Sequence, residues 1–312
     1  LEIPAYRVDV RLEADVIEEI LRIYGYNNVE INNHVNSTLT YIEKPDMEKA
    51  VNTVSDLLSA NGFAEIMCNS LNPASWYEDN SDFDAGQLVT LANPLSSDLN
   101  AMRKSLLYGG LSSVIWNINR QCSDLRLYEF GNCYFRTGHG TAVPSVNDYT
   151  ERRSLDLFIT GKTGKESWNS KTGPSDFYHI KSATEMIFSR LGIDTVLLTN
   201  GESHKKYFSE SITYVINNKV LAETGKLSKS MLSRFDIGQD VFYSHIDWDQ
   251  VLKMIGRKPV QFSELPKYPA VRRDMAMLLD RDIRFISIRD IAFRTERNVL
   301  REVNLFDVYE SD

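Results

Sequence analysis

Cysteine is scarce in this sequence. The three cysteines among 312 residues are Cys68, Cys122 and Cys133, and they form no CxxC pair. A disulfide framework and a cysteine zinc site are therefore excluded. This cysteine content predicts a reducing, cytoplasmic location.

Long apolar runs and a surplus of positive charge are also missing. The sequence contains no run of about eighteen apolar residues, so no membrane-spanning helix is predicted. The net charge of -8 argues against attraction of the whole surface to phosphate, so no DNA partner is expected and any RNA contact must be local. The start at Leu1 is neither a basic signal region nor a usual initiator, which predicts an excised fragment.

Motifs of several enzyme classes are absent. The histidines are dispersed without HExxH, no serine lies in a GxSxG sequence with an obvious partner, and there is no GxGxxG loop. The segment GKTGKES at 161–167 has the wrong spacing for a P-loop and is interpreted as an exposed turn. A nucleophilic hydrolase is thus disfavoured.

The first twenty-six residues contain an amphipathic helix with clustered acids. Asp15 precedes Glu18 and Glu19 by three and four residues, so the three carboxylates lie close together, and Asp9 comes from the preceding extended stretch. Hard oxygen donors from two segments suit magnesium. Acids in a first helical turn also complement the helix dipole while staying solvated, so the spacing alone leaves both interpretations open.

The remaining residues have the composition of a globular protein, 42% hydrophobic and 25% charged. Helices and strands alternate without regular βαβ spacing, which predicts an α+β fold with an antiparallel sheet flanked by helices. Helices are predicted at 15–24, 47–58, 106–118, 176–191 and 285–296, strands at 63–70, 88–92, 125–135, 155–160, 266–280 and 303–309, and a hairpin over 211–223. A domain boundary is predicted near 258–263.

Several segments resemble a known family, and they occur in the order that the family has. The pattern formed by Arg7, Asp9, Asp15, Glu18, Glu19 and the RIYGY ending at 22–26 resembles the small domain of the bacterial phenylalanyl-tRNA synthetase β subunit. The segments at 92–120 and 125–135 resemble its catalytic-like module, and KYPAVRRDMAMLLD at 267–280 with NLFDVYE at 304–310 resembles its anticodon-binding domain.

This resemblance implies three domains. Residues 1–36 would end a small, winged-helix-like magnesium-binding domain, 40–258 would form a class II aminoacyl-tRNA synthetase-like module without activity, and 263–312 would begin a truncated ferredoxin-like anticodon-binding domain. By the same resemblance, the magnesium ligands are Asp9, Asp15, Glu18 and Glu19. Lys267, Arg272 and Arg273 are the residues expected to contact tRNA phosphates.

The resemblance also implies partners and chemistry. The family forms an (αβ)₂ heterotetramer that joins phenylalanine to tRNA(Phe) at the expense of ATP, which the α subunit binds. Arg126 and Glu129 have the Arg-x-x-Glu spacing of an ATP-binding arginine, but no glycine-rich strand leading into a second arginine precedes the boundary. No catalytic residue is therefore predicted, and Arg126 with Glu129 is interpreted as a cross-strand pair on a solvated face.

Two questions stay open at this stage. The apolar faces at 51–58 and 106–118 either include surface that packs against the α subunit or lie in the internal core. A magnesium-dependent hydrolase and a stand-alone RNA-binding or scaffold module remain as alternatives to the β-subunit function. The first lacks a recognisable general base, and the acidic balance weighs against the second.

Overall fold

A seven-stranded mixed β-sheet forms the centre of the fold, with helices on both of its faces. A computed structural model of the chain describes residues 2–31, 34, 37–39, 46–78, 82–138, 145–165, 167–169, 172–193, 198–255, 264 and 267–309. The chain divides into two compact units, Leu1–Val260 and Gln261–Asp312. The sheet belongs to the first unit.

Two of the longest helices begin at an aspartate that caps them. Asp46 accepts a hydrogen bond from the Lys49 amide at 3.1 Å, and Asp176 accepts one from the His179 amide at 3.1 Å, as helix N-caps do. The bounds are α1 (Glu13–Tyr24), α2 (Met47–Ala60), α3 (Ser75–Glu78), α4 (Leu107–Ile118), α5 (Phe177–Arg190), α6 (Lys229–Ser233), α7 (Trp248–Ile255) and α8 (Phe285–Thr295). The helices predicted at 15–24, 47–58, 106–118, 176–191 and 285–296 are confirmed.

Most of the sheet is antiparallel, as predicted. Its strands lie in the order β1-β4-β5-β9-β8-β7-β6, and β1 alone among the described strands pairs in parallel, with β4. A separate pair is formed by β2 and β3. The bounds are β1 (Ala64–Glu65), β2 (Leu71–Asn72), β3 (Ala101–Met102), β4 (Leu125–Arg136), β5 (Tyr149–Thr160), β6 (Thr199–Gly201), β7 (Phe208–Ile216), β8 (Lys219–Leu227) and β9 (Val241–Asp247).

The predicted hairpin is confirmed as the β7–β8 pair. Asn217 and Asn218, at its tip, have φ of 50° and 59°. Two successive positive φ angles are the conformation of a type I′ turn, whose twist matches that of the flanking strands. Asparagine tolerates this conformation better than most residues, so the two asparagines determine where the chain reverses.

Two hydrophobic clusters sandwich the sheet. Side chains from α2, α5 and α7 pack on one face, and side chains from α3, α4 and α6 pack on the other. Val54, Leu58, Leu107, Leu111 and Val114 are completely buried. These five positions of α2 and α4 are therefore internal core. A surface for a partner subunit on the half-buried apolar positions of the two helices stays a prediction.

Some predicted strands are wrong. Strand structure in 63–70 is limited to Ala64–Glu65, Leu88–Ala92 makes only an isolated bridge at Thr90, and the described parts of 266–280 and 303–309 contain no strand. A strand requires a neighbour to pair its amides and carbonyls, which an apolar sequence alone does not supply. In the second unit α8 also has no buried residue.

The predicted boundary at 258–263 includes the point in the sequence, after Val260, at which the chain divides into its two compact units. The functional assignment of the domains stays a prediction.

Within the described ranges, every helix is too short or too polar to span a lipid bilayer.

Candidate functional site

The acids near α1 are organised by an arginine. The Nη2 atom of Arg7 lies 3.0 Å from Asp9 Oδ2 and 2.7 Å from Glu19 Oε1, so both carboxylates meet at one cationic nitrogen. Asp9, and then Glu19, raise the pKa of the Arg7 guanidinium, and the bond from Arg7 lowers the pKa of Asp9. The structure thus brings Asp9 and Glu19 together.

The other two predicted ligands have different partners. One oxygen of Asp15 accepts hydrogen bonds from the backbone amides of Arg11 and Leu12, both at 2.8 Å, and these bonds lower the pKa of Asp15. Glu18 lies 3.7 Å from Arg22, one helical turn away. Among the described residues, no three acidic, histidine or cysteine side chains converge as a metal site would require.

A second group, of four titratable residues and one threonine, crosses the sheet, and we call it the polar row. Its members are direct register partners on adjacent strands, so their side chains share one face of the sheet. The row consists of Glu129 on β4, Asp156 on β5, His245 on β9, Glu223 on β8 and Thr213 on β7. It lies on the face that α4 covers, because Leu127 and Phe158 pack there.

Arg103 and Glu129 form an ion pair at one end of the polar row. Arg103 Nη1 lies 2.6 Å from Glu129 Oε1, and the two side chains are only 7% and 1% exposed. Arg103 also donates to the carbonyls of Asn132 and Cys68. Burial raises the pKa of Glu129 against the opposite effect of Arg103. The second oxygen of Glu129 is buried without a hydrogen-bond partner among the described residues.

Asp156 is the centre of the polar row and is completely buried. It accepts a 2.5 Å hydrogen bond from the Tyr243 hydroxyl and lies 2.7 Å from Nδ1 of the half-buried His245. Burial alone would lower the pKa of His245, but the charge and hydrogen bond of Asp156, with Glu223 and Asp247, raise it. A charged imidazolium is therefore the stabilised form of His245 in the folded chain.

We predict a pH-dependent contribution of His245 to stability. A raised folded-state pKa gives stability that is complete below the unfolded value of about 6.5 and is lost as pH rises through the folded value. The difference in the free energy of unfolding between the wild type and His245→Gln should therefore shrink from pH 5.5 to 8.5. Urea unfolding at several pH values measures it, and a difference that grows with pH would contradict the assignment.

The interpretation of Arg126 and Glu129 as a solvated pair is wrong. Glu129 is completely buried and pairs with Arg103. Arg126 points to the other face of β4 and donates to the carbonyls of Asn61 and Thr163 at 3.2 and 2.9 Å. The spacing of the two residues along one strand does not bring their side chains together.

The basic residues predicted to contact RNA lie in the second unit. Lys267, Arg272 and Arg273 are exposed. Arg272 donates to Asp274 at 3.0 Å, and its guanidinium lies 5.3 Å from the centre of the Phe306 ring. Lys267 and Arg273 therefore present their charge at the surface, whereas that of Arg272 is partly compensated.

Sequence reasoning missed Arg103, Asp156 and His245. A signal was present, because Glu129 follows Leu125 and Leu127 at the same inward spacing of a strand and Asp156 precedes Phe158 by two residues. A carboxylate at a core position requires a partner. The sequence does not say which residue supplies it.

Three family models match the chain in sequence order. Residues 1–26 match the tRNA synthetase B5 domain, 31–248 match the phenylalanyl tRNA synthetase beta chain CLM domain, and 266–312 match the ferredoxin-fold anticodon binding domain. The second match covers most of the chain.

Curated relatives named phenylalanine–tRNA ligase beta subunit match nearly the whole chain. The proteins from Bacteroides thetaiotaomicron and Porphyromonas gingivalis are 42% and 36% identical over 99% of it. The protein from Thermotoga maritima is 28% identical over 99%. The chain spans 38% of the length of the first two relatives and 37% of the third.

Two solved structures match the chain with low sequence identity. Pyrrolysyl-tRNA synthetase from Desulfitobacterium hafniense matches with a TM-score of 0.49 and 12% identity over 67% of this chain and 69% of that one. A second structure of that protein matches with the same TM-score and 14% identity.

On the family model that covers residues 31–248, the chain belongs to the phenylalanyl-tRNA synthetase beta chain CLM domain family.

Proposed function

We propose that this chain acts as part of the β subunit of a phenylalanine–tRNA ligase, in ATP-dependent attachment of phenylalanine to tRNA(Phe). The observation that carries the proposal is the match of 99% of the chain, at 42% identity, to a relative of that name. The order of the three matching domains along the chain supports it as well.

In this proposal the chemistry belongs to the α subunit, which binds ATP, and the sheet of this chain is a class II-like module without activity. The polar row supports this division. Glu129, Asp156 and Glu223 contribute carboxylates to the face, and the guanidinium of Arg103 is already paired with Glu129. A triphosphate needs fixed cationic groups, and a face rich in carboxylates repels it.

The proposed partners are an α subunit, in an (αβ)₂ heterotetramer, and tRNA(Phe), in the cytoplasm. The exposed side chains of Lys267 and Arg273, with Arg272, would contact tRNA phosphates. The winged-helix-like and ferredoxin-like domains would be completed by parts of the longer subunit.

We also propose that Asp9, Asp15, Glu18 and Glu19 hold magnesium at the junction with the α subunit. Carboxylate oxygens are the donors that magnesium prefers. Asp9 and Glu19 already approach a single cationic nitrogen of Arg7, so their oxygens lie within reach of one metal ion. When bound, magnesium would neutralise these acids and connect α1 to groups of the partner.

Arg7 and the metal would compete for the same carboxylates, which gives a prediction. Replacing Arg7 by Gln should tighten Mn²⁺ binding, used as a spectroscopic substitute for magnesium, because the positive charge leaves. Asp9→Asn with Glu19→Gln should weaken it. Electron paramagnetic resonance of free Mn²⁺ measures both. Arg11→Gln is the matched control, because the Arg11 guanidinium donates to the Val8 carbonyl and makes no ion pair with the four acids in the described part of the chain. Weaker binding by Arg7→Gln would count against a metal at this position.

The experiment that tests the proposed function is reconstitution. The chain is mixed with the α subunit of a phenylalanine–tRNA ligase, the mass of the complex is recorded by light scattering, and ATP- and phenylalanine-dependent pyrophosphate exchange is measured for each and together. A stable complex and no exchange by the chain alone are expected. Exchange by the chain alone, or a folded chain that does not associate, would overturn the proposal.

A further inference from the structure

A short segment, Asp82 to Asp84, packs against the hydrophobic cluster that also contains the side chains of α3, α4 and α6, and we call it the strap. Its Phe83 ring is surrounded by three tyrosine rings, and we call these the aromatic cage. The ring centre of Phe83 lies 5.5 Å from that of Tyr77, 5.6 Å from that of Tyr108 and 6.2 Å from that of Tyr207, which it nearly parallels. Tyr77 and Tyr108 are completely buried and Tyr207 is buried.

Two lysines hold the backbone of the strap. Lys205 Nζ donates to the Asp82 carbonyl at 3.0 Å and lies 5.9 Å from the centre of the Phe83 ring. Lys104 Nζ donates to the Asp84 carbonyl, although Lys104 is only 5% exposed. The carboxylate of Asp82 accepts the amides of Lys206 and Tyr207, both at 2.9 Å, and so ties the strap to the start of β7.

The two lysine ammonium groups at the strap are not explained by burial of the Phe83 ring alone. Burying the Phe83 ring requires an apolar recess, but it does not require a lysine amine at each flanking carbonyl. Burial lowers the pKa of Lys104, and the nearby charge of Asp84 offsets this only in part. A carboxylate bound directly to the Lys104 ammonium would offset the desolvation far better than the Asp84 carbonyl does, since charge-assisted hydrogen bonds are the stronger ones. The strap therefore places one aromatic ring, that of Phe83, beside two carbonyl oxygens that are bound by lysine ammonium groups.

The aromatic cage is also connected to the polar row. The ring of Tyr207 lies 6.1 Å from that of Tyr243, whose hydroxyl donates to Asp156. On the other side, the Ser203 hydroxyl accepts from the Lys205 amide at 3.2 Å and donates to Glu223. The aromatic cage is thus joined to the carboxylates of the polar row through Tyr243 and through Ser203.

We propose that the aromatic cage together with Lys104 and Lys205 is a binding site for a small aromatic carboxylate, and that the strap occupies this site in the free chain. The ring of the ligand would replace Phe83, and its carboxylate would replace the two backbone carbonyls. The inference rests on side-chain geometry within the first unit and is independent of the proposed synthetase function.

The test uses the double variant Asp82→Ala/Phe83→Ala, which removes the ring and the tether but keeps the cage and both lysines. Calorimetry with 3-phenylpropionate is compared with the neutral alcohol 3-phenyl-1-propanol, which has the same ring and chain length. About tenfold or greater preference for the carboxylate is expected, together with a similar loss on adding Lys205→Met, as for one charge-assisted hydrogen bond. The wild type, with its strap in place, should bind at least about tenfold more weakly than the double variant.

Equal binding of the acid and the alcohol, or no effect of Lys205→Met, would reduce the site to an apolar cavity and overturn the proposal. No binding of either compound by a folded double variant would overturn it too. If the double variant does not fold, Asp82→Ala alone retains every cage residue and loosens the strap. Thermal unfolding of this variant should rise with 3-phenylpropionate by more than that of the wild type, and an equal response of the two proteins would contradict the proposal.

Discussion

Replacing Arg103 by Met should lower the free energy of unfolding by about 3–5 kcal/mol, the usual cost of removing one partner of a buried ion pair. The loss leaves the carboxylate of Glu129, which is 1% exposed on its side chain, without its cation. It also leaves the carbonyls of Asn132 and Cys68 without a donor from Arg103. Urea unfolding followed by circular dichroism measures the change.

The matched variants separate charge from packing. Arg126→Met removes a partly exposed arginine that donates to the carbonyls of Asn61 and Thr163, and it should cost about 1 kcal/mol or less. The double variant Arg103→Met/Glu129→Leu removes both charges and should recover a large part of the loss. A double variant that is less stable than Arg103→Met would show that the stability comes from packing of the two side chains and not from compensation of charge.

The second large effect is expected at Gly110 in α4. A Cβ atom placed there would lie 2.0 Å from the ring of Phe158, which is completely buried against the sheet. Gly110→Ala should therefore destabilise the fold by about 1–3 kcal/mol, even though alanine favours a helix over glycine by about 1 kcal/mol. Thermal and urea unfolding measure the net effect.

Gly238 provides the control for this substitution. A Cβ atom at Gly238 would meet no heavy atom within 4 Å among the described residues. Gly238→Ala should leave the stability unchanged or raise it by up to about 1 kcal/mol, because alanine restricts the unfolded chain. If Gly110→Ala is as stable as Gly238→Ala, then α4 can move away from Phe158 and the close approach is not required.

The helices could be predicted because their signals are local. The caps Asp46 and Asp176, the apolar repeat of α4 and the glycine after α1 all lie within a few residues of the helix that they delimit. The Asn217-Asn218 turn is local in the same way. The strand predictions failed where pairing decides the structure, as at 88–92. A strand forms only where another segment hydrogen-bonds to its backbone groups.

Resemblance to a family identified the acids near α1, but not their contacts. Arg22 follows Glu18 and Glu19 by four and three residues, which is a readable signal for ion pairs on a helix. Arg7 reaches Glu19 across twelve positions, because the segment before α1, predicted to be extended, instead makes turns at 5–6 and 8–9 and comes back along the helix. That return is a property of the tertiary structure.

The sequence by itself determined the α+β composition, the positions of the helices, the hairpin and the family to which the chain belongs. The tertiary structure alone decided that Arg103 compensates Glu129, that His245 meets Asp156 from 89 positions away, and that Phe83 enters a cage of three tyrosines. The physical reason is that helix periodicity is encoded within a few residues. Strand register, in contrast, is set by the joint packing of segments that lie far apart in the chain.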